Sequence, residues 1–318
     1  MKREVVLGID TSNYTTSLAI ITTEGELIAN IKFPLPVKAG ERGLRQSDAV
    51  FAHVKNLPLA MAEAKKHLSD CKIVAVGASE KPRNVEGSYM PCFLTGIVAR
   101  DSILATSDAK GYSFSHQCGH IMAALYGANA ISLLSEPFVA FHISGGTTEM
   151  LSVSESGNSF KASLIGGSED LNAGQVVDRI GVYMGLSFPA GSEMEKLALQ
   201  NTEKIPRKKP KINGLSFNLS GLENLAISLY EKTKDKALVA AFVFDYISSA
   251  LTCVCKNYES ENGRTKFVFS GGVMSNSIIK NSLSQEFDAI FAEPMLSADN
   301  AVGIAALTLR AYNTEKKD

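Results

Sequence analysis

The sequence predicts an α/β protein of two related lobes with a cleft between them, and three observations predict it. Buried strand-like runs alternate with helical periodicity along the whole chain. Three of those runs end in turns of small residues, at the start, middle and end of the chain. The first and second of these turns share one pattern, a strand, a small polar turn closing on Thr-Thr, and a second strand, at residues 5–21 and 138–153. The length agrees: 318 residues against about 150 per domain points to two domains.

The elements follow in order. Val5 to Ile9 is a short apolar run, Asp10-Thr11-Ser12-Asn13 reads as turn chemistry, and Ser17 to Ile21 is a second run. Together they predict a hairpin, with a third strand over 26–33. Val50, Val54, Leu57, Met61 and Ala64 fall on one helical face, predicting a helix over 49–67. Residues 73–76 read as a strand and 93–105 as a helix. Phe138 to Ile143 and Met150 to Val153 flank the turn Ser144-Gly145-Gly146-Thr147-Thr148. Lys266 to Phe269 leads into Ser270-Gly271-Gly272, and Ser275-Asn276 opens a helix. A last helix runs from Asp299 to about Tyr312, with Ser297 as its expected cap. The expected division is a first lobe over 1–105, with the C-terminal helix 299–318 packed back on it, and a second lobe over 106–298.

Composition excludes several classes. Hydrophobic content of 45% with 20% charged residues is that of a soluble globular chain. A formal net charge of −1 gives no global field for nucleic acid, so any RNA contact must be local. Cys71, Cys92, Cys118, Cys253 and Cys255 show neither CxxC nor zinc-ribbon spacing, which predicts reduced thiols in a cytoplasmic protein. The apolar stretch 237–255 carries Asp245 at its centre and reads as a core helix, so no membrane contact is expected. Lys204 to Lys211 is a basic, proline-broken segment, either a solvated loop or a contact to a phosphate backbone.

The turns carry chemistry. Residues without bulk let backbone N–H groups approach phosphate oxygens, and three such turns predict a nucleotide held between two lobes. No Walker A and no GxGxxG motif follows a strand, which disfavours P-loop and dinucleotide folds. Asp178 is either part of an ordinary helix start or a carboxylate for a ribose diol, with Pro189-Ala190-Gly191 as a turn against the same sugar. Three of the five histidines, His116, His120 and His142, lie close together in sequence. His116 and His120 share one helical face, a common way to offer two imidazoles to a metal, and Asp299 is the candidate acid to join them. Gln117 and Cys118 stand where a zinc protease would need its glutamate, so proteolysis is disfavoured.

Taken in order, these pieces resemble the bacterial and archaeal tRNA adenosine threonylcarbamoyltransferase family of the actin-like ATPase superfamily. The matching residues are Gly8-Ile9-Asp10-Thr11-Ser12, His53, His116-Gln117-Cys118-Gly119-His120, 139–148, Asp170, Gly174, Asp178, 188–191, 215–222, 271–276 and 298–300. The resemblance implies an actin-like fold of two RNase H-like lobes. It implies one divalent metal, iron or zinc, on His116, His120 and Asp299, with His142 where some members place a further ligand. Ser144, Gly145 and Gly146 match the phosphate side of an adenylate or ATP-type nucleotide, and Thr148, Gly271 and Gly272 are further candidate residues for binding it. Asp178, Gly191 and Asn276 match its nucleoside side. Asp10 and Ser144 are the candidate catalytic residues. The implied reaction moves a threonylcarbamoyl group from threonylcarbamoyl-adenylate to the exocyclic amine of the adenosine 3′ of the tRNA anticodon, with auxiliary protein subunits as partners.

Three departures stand out. Cys118 replaces a glutamate, Lys81–Pro91 replaces a Gly-Pro-Gly stretch, and Glu223 replaces a basic residue. They describe a divergent paralogue and keep two alternatives open, a nucleotide- and metal-binding scaffold and an ATPase or kinase in which Asp10 orients magnesium or water.

Overall fold

Among the described residues, ten α-helices, two short 3-10 helices and twelve strands form where the buried runs and the helical faces alternate, in a computed structural model that describes residues 2–12, 14–36, 44–157, 159–297 and 299–316. Asn13 of the expected first turn, Ala298 of the last motif and the end of the expected C-terminal helix at 317–318 lie outside the described residues.

Contacts divide the chain into two compact units. The first holds the chain up to Glu136, then Ser154–Ala162, then the chain from Met295 on; the second holds Pro137–Val153 and Ser163–Pro294.

The first unit contains β1 (Arg3–Ser12), β2 (Thr15–Thr22), β3 (Leu27–Pro34), α1 (Gln46–Lys65), β4 (Cys71–Lys81), α2 (Phe93–Leu104), β5 (Lys110–Ser115) and α3 (His116–Gly127). Its sheet has the order β3-β2-β1-β4-β5. β1 and β2 are antiparallel, and β1, β4 and β5 run parallel. Val5, Leu7, Ile9, Leu18 and Ile20 pack in the core on one of its faces, and Val6, Ala19 and Ile21 are buried on the other. Each such side chain taken from water is worth about 1.5–3 kcal/mol, which explains why a nearly continuous apolar run becomes a strand.

The second unit contains β6 (Phe138–Ile143), most of β7 (Thr148–Ser156) and β8 (Ser159–Ser168), α4 (Ala173–Tyr183), α5 (Gly191–Leu199), β9 (Ile212–Asn213), β10 (Ser216–Phe217), α6 (Ser220–Thr233), α7 (Lys236–Asn262), β11 (Phe267–Ser270), α8 (Ser277–Glu286) and β12 (Ala289–Phe291). The strand order is β12-β11-β6-β7-β8-β10-β9. Read from β8 to β12, the order β8-β7-β6-β11-β12 repeats that of the first unit strand for strand. β6 is antiparallel to β7 and parallel to β11, as β1 is to β2 and β4. The duplication expected from two hairpins therefore extends over five strands. α9 (Pro294–Ser297) and α10 (Val302–Glu315) complete the chain.

α7 is long and apolar enough to cross a membrane, but 78% of its most apolar window is buried, and Val243, Ile247 and Leu251 pack in one core with Phe141, Phe267 and Phe269. Burial pushes the Asp245 carboxyl up, while the Arg207 charge pulls it down. One charge of the basic 204–211 segment thus faces an acid of its own unit.

Three expectations change. Asp10 is not a turn residue. The β1/β2 ladder runs on through Asp10↔Ser17 to Ser12↔Thr15, because hydroxyl side chains fit the ladder and satisfy the acid inside it. Ser297 does not cap the last helix, since it ends α9; Asn300 Oδ1 accepts from the Val302 N–H at 3.0 Å instead. The units also part differently from 1–105 and 106–298. β5 pairs with β4 from Ala75↔Lys110 to Lys81↔Ser115, and α3 packs on α10, which keeps 106–136 in the first unit.

Candidate functional site

α3 begins where β5 ends. Ser115 Oγ accepts from the Cys118 N–H at 3.2 Å and caps the helix, so His116 is its first residue and His120 lies one turn on. α10 crosses α3 closely enough that a Cβ on Gly303 would meet Gly119 O at 1.8 Å. The missing side chain of Gly303 permits that approach, while a Cβ on Gly119 would crowd only the end of the Ile304 side chain. Asp299 lies just before α10, so the crossing brings its carboxylate to the histidine face.

Within the first unit the donor atoms of His116, His120 and Asp299 lie within 4.8 Å of one another. The two Nε2 atoms are 2.9 Å apart, and Asp299 Oδ1 is 3.5 Å from His116 Nε2 and 3.4 Å from His120 Nε2. Bonds of about 2.1 Å in a tetrahedral shell hold donors about 3.4 Å apart, so this triangle fits a first-row divalent ion with one coordination position or more left open.

Asp10 completes the first-unit site from behind. It is fully buried, and its Oδ1 lies 3.1 Å from His116 Nδ1. Ser12 Oγ donates to its Oδ2 at 2.7 Å, and Ser79 Oγ donates to Oδ1. A carboxylate on Nδ1 fixes that proton there and turns the Nε2 lone pair toward His120 and Asp299, the usual way a protein orients a metal-binding imidazole. The charges agree. Burial works against a charged His116, yet Asp10 and Asp299 hold its pKa raised to about 10. Burial and the His116 charge push His120 down. Asp299 stays well below the usual carboxylate range; burial opposes this, and the hydrogen bonds and charges of both histidines outweigh it. Two facing imidazole nitrogens this close require a proton or a cation between them.

Other residues fall into place. Cys118 points to the far side of α3, with Sγ 3.5 Å from Asn84 Nδ2, so its replacement of a glutamate leaves the donor triangle untouched. The 82–92 loop is built on that same helix end: the Gln117 N–H donates to Pro82 O, and the Arg83 N–H donates to Ser88 Oγ. His53 is buried with Nδ1 2.8 Å from Thr16 Oγ1, and burial lowers its pKa.

The glycine turns belong to the second unit. β6 and β11 are adjacent and parallel, with His142 opposite Ser270, so the turns after them lie side by side. Gly271 adopts φ +96°, and a Cβ there would meet Ile143 O at 2.3 Å. At Gly145, Gly146, Gly191 and Gly272 a Cβ would meet nothing within 4 Å, so the backbone there faces open space. The Ser144 N–H donates to Thr147 O, the Gly174 N–H donates to Ser144 O, and the Ala173 N–H donates to Thr148 Oγ1, which ties the start of α4 to the first turn. His142 belongs to this unit, where Nδ1 lies 3.2 Å from Ser270 Oγ. Ser270 Oγ donates to Phe141 O, so it accepts from His142.

Asp178 Oδ1 accepts from the Ala190 N–H at 2.8 Å and draws the 189–191 turn onto α4, and burial raises its pKa. Asn276 Oδ1 accepts from the Ile278 and Ile279 N–H groups and caps α8. Glu223 accepts from Arg179 Nη1 at 3.2 Å, so the acid at this departure from the family pattern is absorbed by an ion pair.

Sequence reasoning missed the task of Asp170. Its carboxylate accepts from the Leu171, Leu219 and Ser220 N–H groups at 2.6, 2.7 and 3.1 Å, clamping the loop before α4 to the start of α6. In the sequence it stood only as one residue of the family match, because its partners Leu219 and Ser220 lie 49 and 50 residues on. Burial opposes ionisation, but the Ser220 hydroxyl and these N–H groups together outweigh it and hold its pKa far below the ordinary range. Asp170→Ala is expected to cost about 1 kcal/mol, because water replaces part of the lost bonding at this exposed site. The folded pKa lies below the unfolded one. The contribution is therefore full above the ordinary carboxylate range and fades as pH falls through and below it. Urea melts from pH 7 down to pH 2 should show the variant's deficit in full at pH 7, still largely present at pH 3, and shrinking only in more acid solution.

Comparisons with known proteins agree with the architecture. The profile of the family described as tRNA N6-adenosine threonylcarbamoyltransferase, TsaD, matches residues 38–306. A protein of that name from Streptococcus thermophilus is 30% identical over 335 residues, covering 100% of this chain and 94% of its own. One from Streptococcus gordonii is 28% identical over 329 residues, covering 98% and 94%. Among solved structures, full-length HypF in its phosphate- and nucleotide-bound form matches with TM-score 0.61 and 13% identity, over 99% of this chain and 47% of its own. The activator of 2-hydroxyisocaproyl-CoA dehydratase from Clostridium difficile, with bound ADPNP, matches with TM-score 0.53 and 15% identity, over 99% and 98%. A ROK family glucokinase from Streptomyces griseus matches with TM-score 0.51 and 12% identity, over 99% and 100%. These structures share the actin-like ATPase fold with this chain.

Proposed function

The chain belongs to the tRNA N6-adenosine threonylcarbamoyltransferase family, and from that premise we propose that it transfers a threonylcarbamoyl group from threonylcarbamoyl-adenylate to the exocyclic amine of the tRNA adenosine 3′ of the anticodon. The amine nitrogen forms a bond to the carbamoyl carbon, the bond from that carbon to the phosphate oxygen breaks, AMP leaves, and the amine loses a proton to solvent. The observation that carries the reading is the triangle of His116, His120 and Asp299, with Asp10 fixed behind it.

Those three residues would hold a divalent ion, zinc or iron by the chemistry of two imidazoles and a carboxylate. When bound, the ion supplies a Lewis acid for a phosphoryl or carbonyl oxygen. Asp10 acts as a positioning group, holding the Nδ1 proton of His116. In the second unit the N–H groups of Gly145, Gly146 and Gly272 would donate to phosphate oxygens, supported by Ser144 and Thr148. Asp178 turns its second oxygen to a ribose hydroxyl, because the first is committed to Ala190. Asn276 keeps its amide N–H group for the nucleoside, because its carbonyl oxygen caps α8. Open space above Gly191 admits the sugar.

An ATPase or kinase reading needs Asp10 to face magnesium or water. Its oxygens already serve Ser12, Ser79 and His116, which speaks against that task. A scaffold reading draws on the replaced 81–91 segment and on the ion pair that Glu223 makes with Arg179. The deciding assay incubates metal-reconstituted protein with threonylcarbamoyl-adenylate and unmodified tRNA, then digests the tRNA and reads its nucleosides by mass spectrometry. N6-threonylcarbamoyladenosine appears if the proposal holds. If it appears only when an authentic transferase is added, and more of it than that transferase makes alone, the scaffold reading takes its place.

The partner reading is an auxiliary protein subunit seated on α1 and α2. Phe51, Val54, Leu59, Leu94 and Val98 are exposed there, beside an apolar groove of about 700 Å³ lined by Leu57, Met61 and Ile103. An exposed apolar face of this kind favours a helical partner. Val98→Glu is expected to weaken capture of such a subunit at least tenfold in a sedimentation assay while leaving the melting curve in place, since Val98 is already 65% exposed.

A further inference from the structure

Asp299, unlike the two histidines, does not stand on a regular element. It lies in the irregular stretch between α9 and α10, just after the chain passes from the second unit back into the first at Met295. A ligand on such a segment loses affinity to the cost of ordering it unless something else holds the segment. Two contacts do so from either end. Asn300 Nδ2 donates to Leu296 O at 2.8 Å, and its Oδ1 accepts from the Val302 N–H, tying the stretch to the start of α10. On the other side Lys32 Nζ, from β3, donates to Met295 O at 2.7 Å.

We infer that Lys32 is a positioning residue for the metal centre, pinning the chain at its return into the first unit so that Asp299 meets His116 and His120 before any ion arrives. The inference rests on reading those three residues as ligands. Lys32 is half-buried on the sheet that also carries Asp10, so its reach is anchored to the framework that orients His116. Its ammonium has three donors, and the Met295 carbonyl occupies one. A long side chain that gives up hydration to bond a single backbone carbonyl is spent on geometry. Simple electrostatics predicts the opposite effect on a cation. Removing a positive charge near Asp299 should tighten metal binding, whereas removing a pin should weaken it.

That opposition makes the test sharp. Metal-free full-length protein is titrated with Co²⁺, following its ligand-field bands, and then with Zn²⁺ in competition with a chromogenic chelator. Lys32→Met is expected to bind both ions about 10–100-fold more weakly, the range for groups that orient a ligand. Lys32→Arg, which can still donate to the carbonyl, should recover most of the loss. Lys32→Gln, too short to reach, should behave as Lys32→Met and serves if the methionine variant does not fold. Affinity equal to or tighter than wild type in both short variants overturns the pin while leaving the ligand set standing. A wild-type protein that binds neither ion removes the ligand set, and the pin with it.

Discussion

His120→Ala is expected to abolish stoichiometric metal binding and to lower transfer to tRNA about 10³-fold. A bound ion contributes several kcal/mol of charge stabilisation to an acyl or phosphoryl transition state, and about 4 kcal/mol corresponds to that factor. His120 is 4% exposed, and its Nε2 lies 2.9 Å from that of His116 and 3.4 Å from Asp299. Without it two donors remain on one side, which is too few for tight binding. The fold should survive. The change removes one of two imidazoles that already repel one another when charged, and the variant should stay within about 1–2 kcal/mol of wild type in urea melts. His53→Ala is the matched comparison. His53 is equally buried but bonds to Thr16, so its loss should cost stability and leave the metal in place. Retention of metal and activity in His120→Ala would end the metal reading outright.

Gly303→Ala is expected to be the most damaging single methyl in the first unit. The added carbon would lie 1.8 Å from Gly119 O, 2.7 Å from Gly119 C and 2.9 Å from Ala123 N. All three are backbone atoms of α3, so no rotamer change relieves the clash. α3 and α10 must separate, and overpacking of this kind costs about 1–3 kcal/mol. The separation also carries Asp299 away from His116 and His120, so metal affinity should fall together with stability, by about 100-fold or more. Gly221→Ala provides the contrast. Gly221 sits near the start of α6 with nothing within 4 Å of a Cβ, and the change should be neutral or stabilising by up to about 1 kcal/mol. Denaturation midpoints and metal titrations on both variants check the pair. A Gly303→Ala protein with normal affinity would mean that the crossing does not set the ligand spacing.

Much of this was legible beforehand because it is local. The i, i+4 spacing puts His116 and His120 on one face whatever α3 packs against. The runs 5–9, 17–21, 138–143 and 266–269 are apolar enough to be strands in any buried sheet, and each lies in one or differs from one by a residue at its ends. Of the glycines after β6 and β11, Gly271 marks a close backbone approach, and Gly145, Gly146 and Gly272 leave the backbone open. Where local rules mislead, a distant partner has intervened. Asp10 looks like turn chemistry until Ser79 and His116, 69 and 106 residues away, satisfy its carboxylate inside a strand. Ser297 looks like a cap until Asn300 takes the task.

The chain order alone therefore determined the alternation of strands and helices, the repeated hairpin, the histidine face and the family resemblance, because each depends on residues a few positions apart. Only the tertiary structure decided that the repeat spans five strands and that 106–136 belongs to the first unit. It also decided that Asp10 orients His116, that Asp170 clamps two helix starts, and that Lys32 reaches the strand of chain leading to Asp299. The physical reason is common to all of them. Each depends on a contact between residues far apart in sequence, and whether a polar group is buried with its partner or left in water is settled only when the sheets and helices pack.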